Sequence, residues 1–188
     1  MLIEHLETER LALRPATVAD AAAVFAYASD PAVSRYLPWA PHVTISDTKK
    51  FLSRCEQQWE DRQSFPWVIV LRETGTVEGM IEANITGHRA SIGYVLARPM
   101  WGLGIATEAA EAVVSALFEH SDVWRVWATC DIDNPASARV LEKAGLTLEG
   151  TLHRWDCHNI SPEPRDAFVY AAWRDQGRLS HLPPATTR

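Results

Sequence analysis

The chain has 188 residues, 47% of them hydrophobic and 22% charged, which suits one domain that buries a core without disulfides or a structural metal. Its 24 Asp and Glu against 18 Lys and Arg give a formal net charge of -6 with no basic run, which argues against nucleic acid as a partner because phosphate backbones call for a concentrated positive field. Cys55, Cys130 and Cys157 are an odd set without CxxC spacing, and "MLIEHLETERLALRP" holds no apolar stretch long enough for a signal peptide or a membrane span; the expectation is a cytoplasmic protein with no zinc framework and no membrane partner.

In chain order, "RLALRPA" from Arg10 to Ala16 alternates and predicts a strand. "TVADAAAVFAYASD" predicts an alanine-rich helix stopped by Pro31, and "DPAVSRYLPWAPHVT" is too rich in proline for regular structure. A second helix is expected to take Ser46 or Asp47 as its N-cap and to run through "TKKFLSRCEQQWED". Three strand-like runs follow, "FPWVIVLR", "TVEGMIEANI" and "ASIGYVLA", separated by the turns "ETG" and "TGHR", and these predict an antiparallel meander. Apolar residues at Ile105, Ala109, Ala110, Val113, Val114, Leu117 and Phe118 then form one stripe of a helix.

"RVWATCD" (Arg125 to Asp131) predicts a strand, and "NPASARVLEKAG" a helix with Asn134 as N-cap, Pro135 at its first position and Gly145 closing it. "LTLEGTLHRWDC" and "DAFVYAAW" read as strands around the loop "HNISPEPRD". The sequon at Asn159 in that loop carries no information for a cytoplasmic protein. The fold class expected is α+β: one domain over residues 1–174 with a mixed, mostly antiparallel sheet of six to seven strands and helices on both faces, then a polar tail at 175–188.

"PMWGLGIATEAAEAVV", from Pro99 to Val114, sets two glycines one residue apart where a strongly helical run begins. Glycine costs roughly 0.5–1 kcal/mol against alanine there, so the placement needs a reason. One is a turn that demands positive φ; the other is an anion held by the free N–H groups and positive dipole end of the helix. Gly102-x-Gly104-x-x-Thr107 comes near a dinucleotide fingerprint, with Asp131 after the next strand, but that fingerprint opens a βαβ unit and here a meander precedes it. No lysine follows Gly104, so the loop is not a P-loop.

"YVLARPMWGLGIATEA" followed by "CDIDNPASARVLEKAGL" resembles the GNAT family of acetyl-CoA dependent N-acetyltransferases, particularly the branch similar to enzymes that acetylate the N-termini of ribosomal proteins; the likeness runs from "TERLALRPATVAD" to "RDAFVYAA". In that family a Gln/Arg-x-x-Gly-x-Gly/Ala loop binds pyrophosphate, and Trp101, Gly102, Leu103, Gly104, Ile105 and Ala106 occupy those positions. Trp101 stands where a Gln or Arg is usual, so the resemblance implies pyrophosphate held by backbone, with Thr107 adding a hydroxyl. It also implies a splayed central strand pair, with the pantetheine arm of coenzyme A along Val95 and Leu96. Asn134 is an N-cap or a ligand of that arm, and the resemblance favours both. Ser137 by spacing alone is an ordinary polar helix residue; the resemblance brings it to the sulfur of coenzyme A. Many members carry a tyrosine as proton donor at the position of Leu141, and Ser137 is the substitute candidate here. The activity implied is transfer of acetyl from acetyl-CoA to a primary amine by direct attack in a ternary complex, with no metal. The alternative is a non-catalytic acyl-CoA-binding module on the same fold.

Such a transfer needs a neutral amine, so a base must act directly or through water. Glu82 in "GMIEANI" is the candidate carboxylate, against the alternative of an exposed strand residue. His88 and Arg89 sit in a turn, and Glu108 suits the helix dipole without doing chemistry. Cys130 reads as an acetyl-cysteine nucleophile or as a buried structural thiol. The acceptor walls expected are "SRYLPWAPH", with Tyr36, Leu37 and Trp39, and "HRWDCHNISPEPRD", with Trp155, Asp156 and His158, although aromatic loop residues also serve as core caps. A protein N-terminus, an amino acid, an aminoglycoside and a polyamine all remain open as acceptors. A homodimer through a strand edge or the tryptophan-rich surface is open too, without a residue-level case.

Overall fold

The computed structural model describes residues 4–174 apart from 63, 121, 159 and 160, so the sequon at Asn159 and the tail at 175–188 lie outside the described residues. Twelve regular elements follow in order: β1 (Leu6–Glu7), β2 (Leu11–Pro15), α1 (Ala21–Ala28), α2 (Ile45–Asp61), β3 (Phe65–Leu71), β4 (Val77–Thr86), β5 (Arg89–Leu96), α3 (Ile105–Glu119), β6 (Arg125–Asp131), α4 (Pro135–Lys143), β7 (Thr147–Asp156) and β8 (Arg165–Trp173). The eight strands form one sheet in the order β1-β2-β3-β4-β5-β6-β8-β7. The count exceeds the expected six to seven because β1, only two residues long, pairs Leu6 with Leu13 and Glu7 with Ala12; so short a run has no readable period.

The start of α2 also differs from expectation. Thr44, not Ser46 or Asp47, is its N-cap. The Thr44 hydroxyl accepts from the Asp47 amide at 3.4 Å, and the Asp47 carboxylate accepts from the Thr44 amide at 2.9 Å. Asp47 is therefore the reciprocal partner of a capping box, which satisfies two orphan N–H groups at once.

Alternation along the meander sorts the core into two layers. Trp67, Ile69, Ile81 and Ala83 pack toward α3 and α4, whereas Val68 and Met80 pack toward α1 and α2. Adjacent residues of one strand thus face opposite helix layers, as a period of two requires.

One strand pair positions the site. Every neighbouring pair is antiparallel except β5 and β6, which run parallel. Their ladder covers only Arg89–Ser91 against Arg125–Trp127. Beyond it, β5 stays paired with β4 as far as Leu96 and β6 stays paired with β8 as far as Asp131, so their facing edges diverge and open a gap in the sheet. No helix among the described residues is long and apolar enough to cross a membrane.

Candidate active site

The gap between β5 and β6 opens into a cleft of about 820 Å³ that passes through the sheet. Its lining comes from Val95, Leu96, Gly102, Gly104 and the first turn of α3, from Cys130, Asn134 and Ser137 of β6 and the start of α4, and from Val33, Tyr36 and Leu37 between α1 and α2. The cleft gathers sequence positions from 32 to 143 because the splay gives access to both helix layers.

Gly102 and Gly104 have φ of 76° and 78°, the left-handed region that penalises L side chains. The turn reading of the glycine pair therefore holds, since the backbone itself calls for glycine at both positions. A Cβ built on Gly102 would meet no atom of the protein within 4 Å, so the glycine leaves open space at the loop. Gly104 is the N-cap of α3, and no side chain caps that helix among the described residues. By contrast Thr44 caps α2, and the Asn134 side chain caps α4 by accepting from the Ser137 amide at 3.2 Å. The leading amides of α3 thus lack a side-chain cap among the described residues, and the residues that carry them line the cleft.

The loop is braced from outside. The Arg10 guanidinium donates to the Leu103 carbonyl at 2.9 Å and to the Glu108 carboxylate at 2.6 Å, and Glu108 also accepts from the Thr8 hydroxyl at 2.5 Å. Burial opposes ionisation of Glu108, but the donors from Thr8 and Arg10 outweigh it and hold its carboxyl below the ordinary value. The Leu103 side chain is exposed and stands outside the cleft lining. The Trp101 indole donates to the Leu96 carbonyl at 3.0 Å, which ties the loop to the end of β5. Arg98, Arg139 and Lys143 line the same cleft, so cations do reach it although none stands at position 101.

At the centre, the Tyr94 hydroxyl from β5 lies 2.7 Å from Ser137 Oγ and 3.1 Å from the Ser137 carbonyl. Cys130, on β6, lines the same cleft, and burial pushes its thiol up to about 11. Leu141 is fully buried in the core and does not line the cleft. Sequence reasoning missed Tyr94 and Arg10. Tyr94 lies 43 residues from Ser137 and Arg10 lies 93 from Leu103, separations at which no local pattern ties one to the other.

Glu82 is outside the lining. Its carboxylate accepts from the buried Ser64 hydroxyl at 2.5 Å, on the α1 and α2 side of the sheet. In register it faces Gly93, which does line the cleft and whose missing side chain leaves nothing within 4 Å. Cross-strand partners project to the same face, so Glu82 and the open space at Gly93 share one face of the sheet.

Of the expected acceptor walls, Tyr36 and Leu37 line the cleft, with Arg35 lying 5.1 Å from the Tyr36 ring. Trp39 packs instead against the ring of His42, at 5.5 Å, and Trp155 is half exposed on β7. His158 is buried beside Asp131, its Nε2 3.3 Å from Oδ2. Asp131 also accepts from Arg165 Nε at 2.5 Å and from the Asp133 amide at 2.8 Å. Although burial disfavours its charge, these donors hold its carboxyl below the ordinary value. The cluster fixes the turn between β6 and α4 that presents Asn134 and Ser137.

Comparison with known proteins agrees with this geometry. The Acetyltransferase (GNAT) domain family matches residues 10–147. The chain is 32% identical over 169 residues to the uncharacterized N-acetyltransferase YoaA of Bacillus subtilis, covering 88% of this chain and 94% of the relative. It is 30% identical over 157 residues to the uncharacterized N-acetyltransferase p20 of Bacillus licheniformis, covering 82% and 88%. Among solved structures it resembles a GNAT-family acetyltransferase from Bacillus anthracis, with a TM-score of 0.80 at 28% identity over 90% of this chain and 98% of that one. The fold is also that of RimL, a ribosomal alpha-N-protein acetyltransferase solved in complex with coenzyme A, with a TM-score of 0.81 at 23% identity over 92% and 99%.

Proposed function

The chain belongs to the GNAT family of acetyltransferases, and on that premise we propose that this N-acetyltransferase takes acetyl from acetyl-CoA and passes it to a primary amine by direct attack in a ternary complex. The observation that carries the reading is the uncapped start of α3, with Gly102 and Gly104 at positive φ, opening onto the cleft at the mouth of the splay. Free amides on a helix dipole suit a diphosphate, and Arg98, Arg139 and Lys143 add positive charge to the lining of the same cleft. The cleft therefore has the chemistry for a phosphate-bearing ligand in a protein whose net charge is -6.

The divergent edges of β5 and β6 supply free backbone groups for an amide-bearing arm at Val95. The Leu96 carbonyl is already taken by Trp101, so pairing there relies on the remaining groups of β5. Acetyl-CoA supplies an activated acyl thioester. Ser137, which lines the cleft, is the donor to its sulfur in this reading. Glu82 is the base in this reading, accepting the amine's proton across the space left at Gly93, directly or through water.

In this reading the acceptor enters past Val33, Tyr36 and Leu37, which line the same cleft. A protein N-terminus and a small-molecule amine both fit that description. The experiment is to incubate the protein with acetyl-CoA and a panel of amines, including peptides with free N-termini, amino acids, aminoglycosides and polyamines, and to follow free thiol. Thiol release that requires one of these amines supports the reading; binding of acetyl-CoA without any amine-dependent release would leave only a binding module.

A further inference from the structure

We propose that Tyr94 is a positioning residue, and the proton source, for Ser137: it turns the Ser137 hydroxyl toward the departing sulfur and does the work that a tyrosine at Leu141 would do. The inference rests on the acetyl-CoA reading above.

The argument starts from proton counting. A serine hydroxyl has one proton, and once that proton has gone to a sulfur its oxygen must be given another by a neighbouring donor. The Tyr94 hydroxyl stands within donating distance of that oxygen, 2.7 Å from Ser137 Oγ, and its single proton also has the Ser137 carbonyl as an acceptor at 3.1 Å. Cys130, on β6, lines the same cleft as this pair. The three groups come from β5, α4 and β6 and meet at the gap, where all three line the cleft. Burial raises the Tyr94 hydroxyl well above its ordinary value, and its bond to Ser137 only partly offsets that. Tyr94 therefore keeps its proton throughout the neutral range. Leu141 is sealed in the core, so no side chain at that position competes for the role.

The step balances as follows. The amine nitrogen forms a bond to the acetyl carbon, the carbon–sulfur bond breaks, and its electron pair leaves on sulfur. The nitrogen's proton goes to the base. Sulfur takes the Ser137 hydroxyl proton, Ser137 Oγ takes the proton of Tyr94, and the Tyr94 oxygen is reprotonated from solvent.

The test uses Tyr94→Phe, which keeps the ring and removes the hydroxyl. The first readout needs no turnover: the thiol of bound coenzyme A is titrated by its thiolate absorbance, with the desulfo-coenzyme A complex as the blank. Donors aimed at sulfur favour the thiolate, so Tyr94→Phe is expected to raise the bound thiol's pKa by about one unit. The second readout is kinetic. Tyr94→Phe is expected to lower kcat roughly tenfold with the KM for acetyl-CoA little changed, and the double variant with Ser137→Ala to be no slower than Ser137→Ala alone. An unchanged thiol titration, or losses that multiply in the double variant, would overturn the proposal while leaving the acetyl-CoA reading intact. Failure of the wild-type protein to bind coenzyme A at all would overturn that reading and this inference together.

Discussion

Arg10 and Glu108 form an ion pair, 2.6 Å from Nε to Oε2, that connects the start of β2 to the first turn of α3 and leaves a second guanidinium nitrogen on the carbonyl of Leu103. The pair thereby fixes the peptide between the two glycines. Its Arg10 end is about half exposed, so its contribution to global stability is screened and amounts to no more than about 1 kcal/mol.

The first prediction follows from that asymmetry. Arg10→Gln should lower coenzyme A affinity by about tenfold, because the loop loses its brace, while shifting unfolding only slightly. Calorimetric titration beside a denaturant melt checks it; an affinity equal to wild type would mean that the loop holds its shape unaided.

Gly104→Val tests the cradle itself. A β-branched residue at a φ of 78° is strained, and its Cβ would stand 3.4 Å from the Arg10 guanidinium. Coenzyme A affinity should fall at least about tenfold, equivalent to about 1.4 kcal/mol, in a protein that still folds. Binding within about twofold of wild type by a folded variant would remove the phosphate-cradle reading.

Acid should unfold the protein through a small set of carboxylates. Asp20, beneath the Arg14 guanidinium, and Asp131, beneath that of Arg165, are both held below their ordinary value of 3.8 by donors that outweigh burial, and Glu108 is held below 4.5 in the same way. A carboxyl depressed in the folded state adds stability that is fully present above its unfolded pKa and is lost as pH falls through the folded one. Thermal melts should thus be flat near neutrality and fall steeply below about pH 4. Asp131→Asn should lower Tm at pH 7 and make the acid limb shallower; an acid limb unchanged from wild type would exclude Asp131 as a contributor.

Much of this was legible in the sequence, and the limits are physical. The meander, the α3 stripe and the Asn134-Pro135 helix start depend on neighbours within a few residues, and local periodicity reports them. The capping box of α2 was misread because Asp47 is a good cap in isolation, and only the reciprocal pair with Thr44 reveals which residue precedes the helix. The glycine loop was legible from composition. Its brace at Arg10, the Tyr94–Ser137 contact and the burial of His158 on Asp131 depend on how distant strands pack, which no spacing encodes. Trp39 and Trp155 illustrate the same limit: an aromatic on a loop reads alike whether it faces a cleft, a neighbouring ring or solvent.

Glu82 carries a pH prediction of its own. Glu82→Gln keeps the size of the side chain and removes the proton acceptor. At pH 7 kcat/KM should drop roughly 100-fold, and the deficit should shrink as alkaline solution supplies neutral amine. Profiles that stay parallel from about pH 6 to about pH 10 would take Glu82 out of the mechanism and leave the bond from Ser64 as its whole role.

The most direct measurement is thiol release from acetyl-CoA in the presence and absence of each amine of the panel, with the acetylated product identified by mass. The account predicts release that depends on one class of primary amine, with one acetyl group gained by the amine for each thiol freed. Tight binding of acetyl-CoA with no amine-dependent release from any of them would contradict it.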